Sequence, residues 1–293
     1  MANLKEVRTR IESVNSTKQI TSAMKMVAAS KLRKSQNAII ALRPYAEKFS
    51  EILERINGRD VTPVASEISE SHRVLIIPLS SNKGLCGVFN ANVIRETINL
   101  IKNEYQTLLD NNGVDILCVG SKVEEALKFK KYPVIGNENV LLDDLTYENA
   151  AAFAERLMKD FDDKKYDKIV FVYNQFKNAA TQVLVTEQFL PFVSQKPTAN
   201  SQQPGSEVDY IYQPNKEELL RVMIPKSLKL QVYKILLDSF ASEQGARMIS
   251  MTQATDNATE LLKELNLSYN KARQSAITNE LVEIVSGANA LKG

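Results

Sequence analysis

Ser80-Ser81-Asn82-Lys83-Gly84-Leu85-Cys86-Gly87 is the stretch whose residue types and position come nearest to a chemical site. It lies between an apolar run, Val74 to Leu79, and an amphipathic stretch from about Asn90 to Leu109, the place where a strand turns into a helix. Phosphates bind at such turns because the N–H groups heading a helix are unsatisfied and carry partial positive charge. Neither phosphate pattern is present: there is no G-x-G-x-x-G, and Lys83 precedes Gly84 instead of following a glycine and leading to Ser or Thr. The stretch reads as a structural turn, with nucleotide binding as the alternative.

Other catalytic chemistry is poorly supplied. Asp143 with Asp144, and Asp162 with Asp163, are adjacent acids whose side chains diverge, which suits neither general acid nor general base work. His72 is the only histidine, so a Ser/His/Asp set and a histidine-rich metal site both lack their central residue. Cys86 and Cys118, the only cysteines, have no metal-like spacing and indicate a reducing compartment without a disulfide framework; they also offer two points for attaching a probe. The expectation is a chain with no active site, metal or cofactor of its own.

Recognition chemistry is better represented. Arg273, Gln274 and Thr278 recur at helical spacing, which gathers hydrogen-bonding groups on one strip, or else is ordinary surface polarity. Beyond them Leu281, Val282, Ile284, Val285 and a small-residue end, Ser286 to Leu291, are too apolar for a solvated terminus and suit a socket on another protein. At the other end, the first 50 residues hold ten bases, among them Lys25, Lys31, Arg33 and Lys34, against three acids. That excess of +7 within a total of +2 makes a basic rod suited to acidic protein elements, an anionic surface or nucleic acid. Glu6 and Glu12 within it argue against a transit peptide.

Two long helices must carry these groups. From about Ser227 to about Ser286 no proline interrupts the pattern, and Met251, Ala254, Ala258, Leu261, Leu265, Ala272 and Ala276 make a narrow apolar seam along a helix of roughly 90 Å. A shorter helix, capped by Asn215, is expected to end at Ile224 before Pro225. A matching seam runs through Leu4, Val7, Ile11 and Val14 and resumes at Met24, Ala28, Leu32, Ser35, Ile39, Leu42, Ala46, Phe49, Leu53 and Ile56, with Pro44 bending the helix without ending it. Two terminal helices with seams and a domain between them pair most simply as an antiparallel coiled coil.

Between them the period changes. Val74 to Leu79, Val114 to Val119 and Lys168 to Tyr173 are apolar strands alternating with helices at about Asn90 to Leu109, after Ser121 (a Ser121/Glu124 capping box) and at about Thr146 to Phe161. Gln182 to Leu190 alternates and should return antiparallel, and Asp209 to Tyr212 is a last short strand. The expected fold is an α/β Rossmann-like central domain, residues 72–213, with a long antiparallel two-helix coiled coil formed by the N-terminal helix, 1–58, and the C-terminal helix, 216–293. No stretch of about 18 apolar residues is present to span a membrane.

Three separated motifs now bear on function. ITNELVEIVSGANA (Ile277 to Ala290, with Thr278, Glu280, Glu283, Gly287 and Ala288), TSAMKMVAASKLRKSQ (Thr21 to Gln36) and GLCG (Gly84 to Gly87) occur in the order found in the gamma subunits of F-type ATP synthases, which the chain resembles over essentially its full length. The resemblance implies a non-catalytic central-stalk rotor subunit that couples ion flow through the membrane c-ring to ATP synthesis in a ring of alpha and beta subunits, with epsilon at its foot. It implies that Arg273 and Gln274, with Thr278 and Glu280 beside them, face a beta-subunit loop. Met24 and Lys25 would lie where the shaft meets beta, Lys31, Arg33 and Lys34 would face its acidic lever, and Tyr210 would lie near epsilon and the c-ring. The location implied is the cytoplasmic face of a bacterial inner membrane, with membrane association indirect. The alternative is a basic coiled-coil nucleic-acid-binding protein; a nucleotide-dependent enzyme built on the central domain is a third reading.

Overall fold

The computed structural model describes residues 4–57, 73–191 and 215–291. The polypeptide forms α1 (Leu4–Asn57), β1 (Val74–Pro78), α2 (Phe89–Glu104), α3 (Gln106–Asp110), β2 (Val114–Cys118), α4 (Ser121–Phe129), β3 (Val134–Asn137), a short 3-10 turn (Asn139–Leu142), α5 (Tyr147–Asp162), β4 (Lys168–Phe176), β5 (Gln182–Leu190) and α6 (Lys216–Ala290). It divides into two compact units, one of residues 30–246 and one of residues 1–29 with 247–293.

The larger unit is built on one five-stranded sheet, ordered β3-β2-β1-β4-β5. β1 pairs parallel with β2 and β4, β2 pairs parallel with β3, and β5 returns antiparallel to β4. All five residues of β1 are buried because both sheet faces are covered, which is why its sequence is a continuous apolar run. Leu75 and Ile77 point to a core shared with Phe153 and Leu157 of α5 and with Leu228, Val232, Ile235 and Leu236 of α6. Val74 and Ile76 point the other way, to Val93 and Ile101 of α2 and Val123 and Leu127 of α4. Each such side chain contributes about 1.5–3 kcal/mol by leaving water.

The smaller unit is the pairing of two helices. Val7, Thr21 and Ala28 of α1 and Met251 and Ala258 of α6 are buried, seven or fourteen residues apart along each helix, and Thr255 Oγ1 donates to Thr21 Oγ1 at 2.9 Å. With Thr21 opposite Thr255, antiparallel pairing brings Leu4 opposite Ala272, and Ala272 is the last partly buried residue of α6 among those described. The antiparallel pairing is present, and so is the α6 seam from Met251 to Ala272, but Ala276, expected as its last member, is exposed because α1 has already ended there.

Four expectations are corrected. α6 does not break before Pro225; the helix is continuous, because losing one backbone hydrogen bond there is offset by Ile224 and Leu228 packing on the sheet core, while Glu218 N–H donates to Asn215 Oδ1 at 2.8 Å as the expected cap. The stretch Asn90 to Leu109 is two helices, since buried Tyr105 leaves helical geometry (φ −123°, ψ 18°) and turns Leu108 and Leu109 toward the core. Ser121 and Glu124 do not form a capping box: Gly120 heads α4, and Glu124 accepts hydrogen bonds from Lys128 Nζ (2.7 Å) and Asn137 Nδ2 (2.9 Å) instead. β3 was not anticipated; preceded by Pro133 and containing Gly136, it is a strand only because β2 pairs with it. The strand expected at Asp209 to Tyr212 lies outside the described residues.

At Gly245 α6 approaches another backbone closely. A Cβ at Gly245 would sit 3.1 Å from the Ala179 carbonyl oxygen, at the tip of the β4–β5 hairpin, where Asn178 Oδ1 accepts from the N–H groups of Ala180 and Thr181. Gly245→Val should therefore lower stability in urea unfolding by about 1–3 kcal/mol through overpacking. Gly287→Val, with nothing within 4 Å of its Cβ, should change it by less than about 1 kcal/mol.

Candidate functional site

The turn after β1 is closed by the protein's own groups. At the head of α4, Ser121 N–H donates to Asn82 Oδ1 (3.2 Å), Lys122 N–H to the Ser81 carbonyl oxygen (3.2 Å) and Val123 N–H to Ser80 Oγ (3.0 Å). Asn90 of α2 holds the other side, its Oδ1 accepting Ser81 N–H (3.0 Å) and its Nδ2 donating to Ser81 Oγ (2.9 Å) and Cys86 Sγ (3.2 Å). Asn82 Nδ2 donates to the Asn139 carbonyl oxygen (3.2 Å), and Asn139 Oδ1 accepts Gly120 N–H (2.9 Å). The donors a phosphate would use at α4, and that of Ser81, are already engaged. Sequence spacing pointed to this turn as strand-to-helix punctuation; that it also caps a helix forty residues on is a consequence of the β1–β2 pairing.

Both cysteines are buried, so neither takes a probe in the folded chain, contrary to the expectation from sequence. Burial pushes the Cys118 thiol up to about 12, with Glu124 adding to the rise and Lys128 opposing it. Among the described residues no three His, Cys, Asp or Glu gather as a metal site, and no helix is long and apolar enough to cross a membrane.

The recognition residues lie on two surfaces. On α6, every residue from Arg273 to Asn289 is exposed, so α6 runs on from Ala272 as a single helix for some 27 Å. Its apolar residues do not continue the seam. The seam positions after Ala276 are Asn279, Glu280 and Glu283, whereas Ile277, Leu281, Ile284, Ala288 and Leu291, spaced four and three residues apart, form a stripe on another side. Ile277, Leu281 and Ile284 are 46–61% exposed. At helical spacing Arg273 and Glu280 border one edge of the stripe, and Gln274 and Thr278 the other. Thr278 Oγ1 donates back to the Gln274 carbonyl oxygen at 2.9 Å, which orients its remaining lone pairs outward. The strip and the apolar tip read separately from sequence are thus one surface: an apolar ridge with Arg273 and Glu280 along one edge, and along the other Gln274 and Thr278 followed by exposed Val282 and Val285. Counting the seam onward in phase would have revealed the change of face.

On α1, Met24 is half-buried in line with Thr21 and Ala28, and Lys25 is exposed beside it. Ile20 and Val27, seven residues apart and 60% and 57% exposed, flank Met24 and were not singled out from sequence. Lys31, Arg33 and Lys34 are exposed around buried Leu32 and Ser35. Tyr210 lies outside the described residues.

A family model described as ATP synthase matches residues 3–291. The chain is 53% identical to the ATP synthase gamma chain of Christiangramia forsetii and 52% identical to that of Flavobacterium johnsoniae, with each chain covered in full. It is similar to a chain of the cryo-EM structure of the Tetrahymena thermophila mitochondrial ATP synthase central stalk and c-ring (TM-score 0.57, 27% identity, 80% of this chain and 99% of that one). In fold it is similar to a chain of the Euglena gracilis mitochondrial ATP synthase (TM-score 0.67, 20% identity, 98% and 94% covered).

Two outcomes are expected. Asn82→Ala removes the acceptor of Ser121 N–H and should lower unfolding stability by about 1–2 kcal/mol. Amide exchange in the isolated chain should be at least tenfold faster across 277–290 than across 251–261, because a helix without a packed face has little to hold it closed.

Proposed function

The chain belongs to the ATP synthase gamma-chain family, and from that premise we propose that it is the central-stalk rotor of a proton-translocating F-type enzyme, coupling ion flow through a c-ring to ATP synthesis by rotation. In functional terms residues 1–58 and 216–293 are its shaft and residues 72–213 its foot. The observation that carries this reading is the exposed end of α6, where an apolar ridge is bordered by Arg273 and Glu280 on one edge and by Gln274, Thr278, Val282 and Val285 on the other. A helix end exposed on every side, yet broadly apolar toward its tip, is suited to a sleeve formed by other subunits.

Arg273, Gln274, Thr278 and Glu280 contact the beta subunits near this end, and Met24 and Lys25 contact them on α1. Lys31, Arg33 and Lys34, all exposed, face an acidic lever of beta and attract it over a distance without a fixed lock. Tyr210 lies in the foot near epsilon and the c-ring. The chain has no active site, cofactor or nucleic-acid partner; it sits on the cytoplasmic face of a bacterial inner membrane as a peripheral subunit, joined to the bilayer only through the c-ring.

The mechanism is differential contact. A shaft that presents different residues to otherwise equal catalytic subunits stabilises a different conformation in each. Moving one site from 1:99 to 99:1 requires the shaft to favour one state by about 5.5 kcal/mol, within reach of a few contacts and packing. The apolar ridge makes few directional bonds, so it turns without breaking many.

The test is reconstitution with alpha and beta subunits, with a bead on an introduced Lys130→Cys because the native thiols are buried. ATP should drive stepwise rotation in one direction, and a chain ending at Ala272 should still support hydrolysis while rotating with lower torque. Absence of the chain from the alpha–beta ring, or no effect on its turnover, refutes the rotor reading.

A further inference from the structure

The stretch of α6 seated on the sheet buries an unusual run of polar groups: Asp238, Ser239, Ser242, Glu243 and Gln244, with Ser242 Oγ left without a hydrogen-bond partner. Asp238 is only 5% exposed. Glu187 of β5 is fixed near it, because Tyr173 of β4 donates its hydroxyl to Oε2 (2.7 Å) and Gln231 of α6 donates to Oε1 (2.7 Å). The charged and titratable groups facing Asp238 come from four elements: Lys234 on α6, Glu187 on β5, Arg43 on α1 and Tyr173 on β4. One buried carboxyl thus interacts electrostatically with a second that two hydrogen bonds hold in place, with two exposed cations opposing the effect.

We infer that Asp238 is a proton-operated catch: protonated, it seats α6 firmly on β4, β5 and the 30–57 part of α1, and ionised, it loosens that seat. Burial is the largest cause that pushes its carboxyl up from 3.8 to about 6; Lys234 opposes it, Glu187 adds to it and Arg43 opposes it. Between these values the folded chain holds a proton that the unfolded chain has lost. The seat therefore weakens as pH rises from about 3.8 to about 6 and stays weakened above, the reverse of an acid stabilised by ion pairing. This device does not depend on the rotor reading, since it concerns how the chain holds its own helix.

Amide exchange of the full chain, corrected for intrinsic rates, tests it. At pH 7.5, Asp238→Asn should protect residues 183–190 and 232–244 more strongly than the native chain does, by up to about 100-fold for two pKa units; about tenfold should remain at pH 5, and the two should converge only below about 3.8. Arg43→Gln, at an exposed position, should move the native transition to higher pH, and Glu187→Gln should move it lower. Native-like pH dependence in Asp238→Asn, or an unmoved midpoint in Arg43→Gln, would overturn the inference.

Discussion

A helix buries only the side its sequence makes apolar, and α6 meets that constraint differently in three consecutive stretches. Leu228, Val232, Ile235 and Leu236 are broad enough to cover a sheet face. Met251, Ala258 and their neighbours are narrow enough to pair with one other helix. Ile277, Leu281 and Ile284 face elsewhere and are covered by none of the described residues. The sheet, the helix pair and the exposed end all follow from which side is apolar in each stretch.

Polar groups inside the larger unit are treated in two ways. Around the turn after β1 they satisfy one another: Ser80, Ser81, Asn82, Asn90 and Asn139 serve helix ends and backbone N–H groups, so a place that holds phosphate in other sheets is here internal scaffolding. Along the buried side of α6 satisfaction is incomplete, with Ser242 Oγ lacking a partner and Asp238 buried within the field of Glu187. Incomplete satisfaction costs stability, and that cost varies with protonation.

The seams, the buried strands and the return of β5 were legible because each rests on a period that a single stretch displays. Val7, Ala28, Leu32 and Leu53 are buried where the pattern puts them. What was not legible depends on partners distant in sequence. β3 exists through pairing with β2, Pro225 is carried inside a helix by packing against the sheet, and Ser80 caps α4 through space. The recognition residues were read from motifs, which supply residue types without faces. The ridge they border emerged once the extent of the α1 pairing showed where α6 becomes exposed.

The Thr21–Thr255 hydrogen bond sets a scale for sliding within the helix pair. A seam of alanines, leucines and valines repeats nearly every seven residues and by itself matches almost as well after a shift of one repeat. The two hydroxyls do not repeat in that way: a shift of seven would bring Thr21 against Met248 or Leu262 and leave polar groups facing apolar ones. A single polar pair thus acts as an index mark, so that force along the helices is resisted at one position instead of being spread over equivalent ones.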